Sequence, residues 1–279
     1  MIKRITSLLK LGAMPKRSHC GFTLVELLTV LAIASILAVL SVPAIQGLNQ
    51  AGGFNKSLYA LADSLNFARS YAMANNTYVY VGLTEVDRSQ STLASPQATG
   101  VGRVVMSIVA TTDGTSDNNA SWSTTGANLT QVRQPQLFDF FHIANTSAAS
   151  QTSFLTSATS LGNMAKPTNV PATSITTVPL PAAAAPGATA AFSLPLGSTS
   201  GTGKYNFSNT NTQIICFNPQ GGVLLNGVAS QWLEIDVQAT AGTATPAVPA
   251  NMAQVANGIT QHAALLIDGV TGSATVYRP

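Results

Sequence analysis

Chemistry in a chain begins with its ionisable and nucleophilic side chains, and here they are few and scattered. Only 8% of the 279 residues are charged, against about a quarter in an ordinary globular chain. The three histidines, His19, His142 and His262, are far apart in sequence, and the two cysteines are Cys20 and Cys216. No His, Cys or acidic residues recur at metal-ligand spacing, and no nucleophile sits beside a base, so the residues point to no catalytic site, no metal and no cofactor. Asp113, Asp117 and Asn119 in "TTDGTSDNN" offer oxygens to calcium, but the run lacks the full loop pattern and its Asp-Gly is a turn signal. Cys216, in the apolar run "TQIICFNP", reads as a buried small hydrophobe.

One ionisable residue stands apart because of its surroundings. The 24 residues Phe22–Ile45, "FTLVELLTVLAIASILAVLSVPAI", carry no charge except Glu26. As a helix they would extend about 36 Å, enough to cross a hydrocarbon layer of about 30 Å. A carboxylate inside such a segment costs roughly 2.5–3.5 kcal/mol near mid-helix, so it needs a partner. Three readings compete. A secretory signal cut after Ala44 fits poorly, since its apolar region is too long and Pro43 lies inside the site. A plain anchor tolerates Glu26 near one end. A cut between Gly21 and Phe22 would instead create a partner, because the new α-amine lies one helical turn from Glu26.

The flank before this segment is basic. Lys3, Arg4, Lys10, Lys16 and Arg17 precede Gly21 with no acid among them, which holds that side in the cytoplasm. Without these five, 8 basic residues face 10 acidic ones and the formal charge of +3 becomes −2. The basic balance therefore belongs to residues 1–21, and it is no argument for nucleic acid as a partner.

The elements that must position Glu26 follow from periodicity. Pro43, Gly47 and Gly52-Gly53 weaken the helix beyond the apolar run. Phe54, Leu58, Leu61, Leu65, Ala68 and Ala72 then form one apolar stripe of an amphipathic helix, ended by Asn75-Asn76. Strand-like segments follow at 77–83, 102–110, 212–217, 222–225, 232–239, 263–268 and 272–278, bounded by turn signals such as "NPQGG" and "DGVTG". Leu233, Ile235 and Val237 alternate with Glu234 and Asp236, the pattern of a sheet with one wet face. The order gives an α+β architecture: a long N-terminal helix packed on an antiparallel sheet. Between Phe140 and Gly203 the only Lys, Arg, Asp or Glu is Lys166. "VPLPAAAAPGATAAF" is low in complexity, so long surface loops or partial disorder are expected. This surface could contact a substratum, or be a tolerated insertion.

"GFTLVELLTVLAIASILAVLSVPAI" resembles the class III signal of type IV pilins and type II secretion pseudopilins: a glycine before the cut, Phe22 after it, Thr23, Leu24, the acid at Glu26 and a proline at Pro43. The resemblance implies that a prepilin peptidase cuts at Gly21–Phe22 and methylates the amine of Phe22. It makes Glu26 the acid that guides filament docking, and Pro43 the helix kink. "LADSLNFARSYAMANNTYVYVG", "IICFNPQGGV" and "ALLIDGVTGSATVYRP" are similar to segments of GspH/FimT (FimU)-type minor pilins and pseudopilins. The likeness covers roughly residues 15–83 and 205–279.

The implied organisation is a leader at 1–21, a transmembrane and filament-core helix at 22–45, an amphipathic helix at 46–76, and a β-rich ectodomain at 77–279 with an insertion around 85–203. The implied partners are the peptidase, other major and minor pilins or pseudopilins, an inner-membrane assembly platform, and lipid before assembly. The implied location is the inner membrane, single-pass with a periplasmic ectodomain, and then the filament. A pseudopilin at a secretion pseudopilus tip, a DNA-uptake pilin and an adhesin using 85–203 are the alternatives. Against DNA, the closing hairpin offers only Arg278, and phosphate binding draws on several cations.

Overall fold

The computed structural model describes residues 23–98, 100–116, 128–143, 155, 170, 175–177, 190–198, 202–208, 214–225, 227–240 and 262–278, with backbone alone at 40–51, 177, 190–191 and 208. The chain divides into two units, Met1–Gln46 and Gly47–Pro279. Helix α1 (Leu24–Asn75) contributes to both. Its helical backbone continues through Pro43, Gly47 and Gly52-Gly53.

In the second unit α1 presents one face to a core. Phe54, Leu58, Leu61, Leu65, Ala68 and Ala72 are all buried, while Lys56, Tyr59, Asp63 and Phe67 are exposed. Asn76 ends the helix in the left-handed region at φ 50°, and the Thr77 amide donates back to the Ala72 carbonyl at 3.1 Å. That is the six-to-one closure of a helix C-terminus, for which Asn is one of the few tolerant residues.

The strands are β1 (Val79–Asp87), β2 (Gly102–Thr111), β3 (Leu129–Asp139), β4 (Phe141–Ile143), β5 (Ile175–Thr177), β6 (Ala190–Leu194), β7 (Tyr205–Ser208), β8 (Ile215–Phe217), β9 (Val223–Leu225), β10 (Val228–Ala229), β11 (Trp232–Ala239), β12 (His262–Asp268) and β13 (Ala274–Tyr277). One sheet has the order β10-β9-β8-β1-β2-β3. A second has β13-β12-β11-β4, with β5 also on β11, and β6 pairs with β7. Every pairing is antiparallel except β5 with β11. The fold is thus α+β, an N-terminal helix followed by an antiparallel β domain.

One core joins the buried face of α1 to Val79, Val81, Leu83, Met106 and Phe217 of the first sheet and to Leu233, Ile235, Val237 and Leu265 of the second. Burying each large apolar side chain contributes about 1.5–3 kcal/mol, so this shared core binds the two sheets through the helix. Turns reinforce it: the Val223 amide donates to the Gly269 carbonyl at 2.7 Å, joining the β8–β9 and β12–β13 turns.

Two expectations are corrected. The alternate face of β11 is not wet: Glu234 is 0% and Asp236 1% exposed. Leu155, Val170 and Ile175 pack there with Ala264 and Leu266, and the Leu155 amide donates to Glu234 Oε1 at 2.9 Å. Alternation marks two faces, and it does not say that the second one lacks cover. Nor are the described parts of 140–203 loops alone. Phe141 and Ile143 join the main core, while Phe192 and Leu194 of β6 join Phe207 over the far face of the first sheet.

That far face explains a glycine in mid-strand. Phe192 and Phe207 stack at 4.7 Å between centroids. A Cβ on Gly82 would lie 2.7 Å from Phe192 and 2.8 Å from Phe207. Gly82→Ala is therefore expected to overpack this contact by about 1–3 kcal/mol, read as a lowered midpoint in chemical denaturation of the full chain in detergent. An unchanged midpoint would show that the hairpin does not seal this face. The outer edge, β3, buries only Phe138 fully, with Pro135 where its register against β2 shifts between Met106 and Ile108. A proline at a bulge is an ordinary guard against edge pairing.

Candidate functional site: an apolar helix end and its acid

Taken by itself, the N-terminal end of α1 is built by its cap. The Thr23 hydroxyl accepts the Glu26 amide at 3.3 Å, and the Thr23 carbonyl accepts the Leu27 amide at 3.2 Å. Thr23 is thus the N-cap and Glu26 the third helical residue, the spacing of a capping box. A carboxylate in the first turn also faces the positive end of the helix dipole, worth about 0.3–1 kcal/mol. "TLVE" was the available signal for this second role of Glu26, which the sequence analysis missed.

Beyond the acid the helix is apolar all round. Leu24, Val25, Leu27, Leu28, Val30, Leu31, Ile33, Ile36, Leu37 and Val39 are each at least 56% exposed. Its few hydroxyls turn inward: Thr29 donates to the Glu26 carbonyl at 2.9 Å and Ser35 to the Ala32 carbonyl at 2.8 Å. Such back-bonding satisfies polar groups where water is absent. A helix apolar on every side buries that surface in lipid or in an assembly.

Among the described residues no helix is long and apolar enough to cross a membrane. Side chains of the apolar run are described only to Val39, and the remainder of Phe22–Ile45 lies outside them. Gly21 and Phe22, the residues of the expected cut, also lie outside the described residues, as does the side chain of Pro43.

The β domain arranges its polar groups differently. Glu85 on β1 and His142 on β4, which are 57 positions apart, meet at 2.9 Å, both buried, and Glu85 Oε1 also accepts the Gly102 amide at 2.8 Å. His142 and His262 flank Gln238 in register on β4, β11 and β12. This pairing ties the first sheet to the second, and spacing along the chain gave no hint of it.

Burial pushes the Cys216 thiol up to about 12, against the opposing pull of a hydrogen bond with Tyr80. At neutral pH such a thiol is protonated and a poor nucleophile. The Thr115 amide donates to Asp113 at 3.0 Å, and that bond holds the carboxyl below its ordinary value. Among the described residues no three His, Cys, Asp or Glu side chains could hold one metal ion. Arg278 stacks on the Tyr59 ring of α1 at 4.9 Å.

The prokaryotic N-terminal methylation motif matches residues 16–42, which include Lys16 and Arg17 of the basic flank, Gly21–Phe22, Glu26 and the exposed apolar helix end. No curated protein and no solved structure matches the chain. That motif, set at the head of a helix followed by an antiparallel β domain, supports a type IV pilin-like protein.

Proposed function

We propose that the chain is a structural filament subunit, a minor pilin or pseudopilin of GspH/FimT type. Prepilin peptidase cleaves it between Gly21 and Phe22 and methylates the Phe22 amine. The carrying observation is the methylation motif over residues 16–42 running into a helix whose apolar side chains are exposed on every side. Before assembly the segment Phe22–Ile45 holds the chain in the inner membrane, with the β domain in the periplasm. On assembly the same surface moves from lipid into the filament core. Glu26 then pairs with a Phe22 α-amine, so that a charge costly in an apolar medium is offset by an opposite one. The role is assembly, without turnover by this chain.

Incorporation into a type IV pilus is the reading advanced, with a type II secretion pseudopilus as the alternative. The chain is expected in the sheared filament fraction of cells with an active prepilin peptidase, and only in the membrane fraction of cells lacking it. Peptidase-independent appearance in filaments would contradict the reading.

A further inference from the structure

We propose that the groove between the second-unit part of α1 and strand β3 receives a carboxylate-bearing apolar segment of a neighbouring subunit; this rests on reading the chain as a filament subunit. The groove encloses about 420 Å³, with Gly53, Lys56, Ser57 and Ala60 on one wall and residues 136–140 on the other.

Two locally unfavourable choices meet in it. Gly53 lies within a helix, where glycine costs about 1 kcal/mol relative to alanine. Phe140 adopts φ 61°, an outlying conformation for a bulky residue that costs about 1–3 kcal/mol. They fit one another, since a Cβ on Gly53 would press on the Phe140 ring at 3.2 Å. Phe140 is held in place by bonds from its amide to the Gly102 carbonyl at 3.0 Å and from the Thr240 amide to its carbonyl at 3.1 Å. The Arg88 guanidinium lies 3.5 Å from the centre of its ring. Strain held by so many contacts shapes a wall.

The charges say what the groove accepts. Asp139 is bonded by Arg103 Nε at 2.8 Å, with Arg88 Nε at 3.9 Å. Lys56 is exposed and, among the described residues, makes no ion pair. Asp139 is thus held by two arginines, and Lys56, on the other wall of the groove, is left to a carboxylate from outside the chain. Leu137, 38% exposed at the rim, supplies an apolar contact. Pro135 guards the β3 edge against an added strand, so recognition falls to side chains. One lysine without an ion pair among the described residues, beside Ala60, Leu137 and Phe140, suits a peptide carboxylate. A phosphate polymer draws on several exposed cations.

The test places benzoylphenylalanine at Leu137 in the full chain and irradiates cells that carry the filament. One discrete adduct with another subunit is expected, its cross-linked peptide containing Asp or Glu. Lys56→Glu should lower its yield by about tenfold through like-charge repulsion, and Lys56→Arg should retain it. No adduct, an adduct indifferent to Lys56→Glu, a cross-linked peptide lacking an acid, or an adduct with lipid or nucleic acid would overturn the proposal. The mass of the same chain separates the two claims. A cleaved N-terminus without a charge-dependent adduct overturns the groove alone, whereas an uncut N-terminus overturns the filament reading.

Discussion

Glu26→Ala is expected to leave removal of residues 1–21 largely intact while reducing incorporation of the chain into filaments by at least about tenfold. The argument rests on the surroundings of the acid. Exposed apolar side chains encircle the helix around Glu26, so in lipid or a filament core its charge is retained only with a partner. In the chain cleaved as proposed, the Phe22 amine is four positions from Glu26, about one helical turn in sequence. A rival explanation exists, because Glu26 occupies the third position of a helix capped by Thr23. The two separate by chemistry. Glutamine serves a capping box as well as glutamate does, yet it brings no charge to an ammonium. Glu26→Gln should therefore fail in assembly as Glu26→Ala does, measured as the ratio of chain in sheared filaments to chain in membranes. Restoration of assembly by Glu26→Gln would reduce the acid to a helix cap.

Truncating one partner of the buried Glu85–His142 pair should give the largest loss of stability in the β domain. Glu85→Ala leaves the His142 ring and the Gly102 amide without the carboxylate that each contacts at 3.0 Å or less. Breaking a buried pair in this way costs about 3–5 kcal/mol, and for a unit of this size each kcal/mol lowers Tm by about 2–4 °C. Thermal unfolding of the full chain in detergent should thus shift down by roughly 6–20 °C. Lys56→Ala, at an exposed side chain without an ion pair among the described residues, should stay within about 0.5 kcal/mol. A double-mutant cycle with His142→Ala would isolate the coupling. Additive effects would mean that the pair does not fasten the sheets together.

What could be read from sequence follows from where the physics is local. The stripe from Phe54 to Ala72 lies on one helix face, and β11 matches "WLEIDVQA" residue for residue, because periodicity records which side meets the core. Strand β3 escaped notice because "LTQVRQPQLFD" holds Pro135, three glutamines and an arginine, the composition of a guarded edge. Its place is decided by the neighbouring strand β2, with which it pairs from Arg103–Asp139 to Thr111–Leu129. The buried state of Glu234 and Asp236 was hidden for a related reason: their cover comes from residues 155, 170 and 175, about 60–80 positions away. The meeting of Glu85 and His142 likewise exists only once β1 and β4 are in place. At the N-terminus the acid in its apolar run was legible because everything that makes it unusual lies within one helical turn. Its cap is equally local, carried by the spacing from Thr23 to Glu26.

The central claim, that residues 1–21 are a leader whose removal creates the amine that Glu26 needs, is tested most directly by the intact mass of the chain extracted from the membrane. The account predicts a chain beginning at Phe22, heavier than that sequence by one methyl group and carrying it on the α-nitrogen. A chain that retains residues 1–21, or one that begins after Ala44, would contradict it.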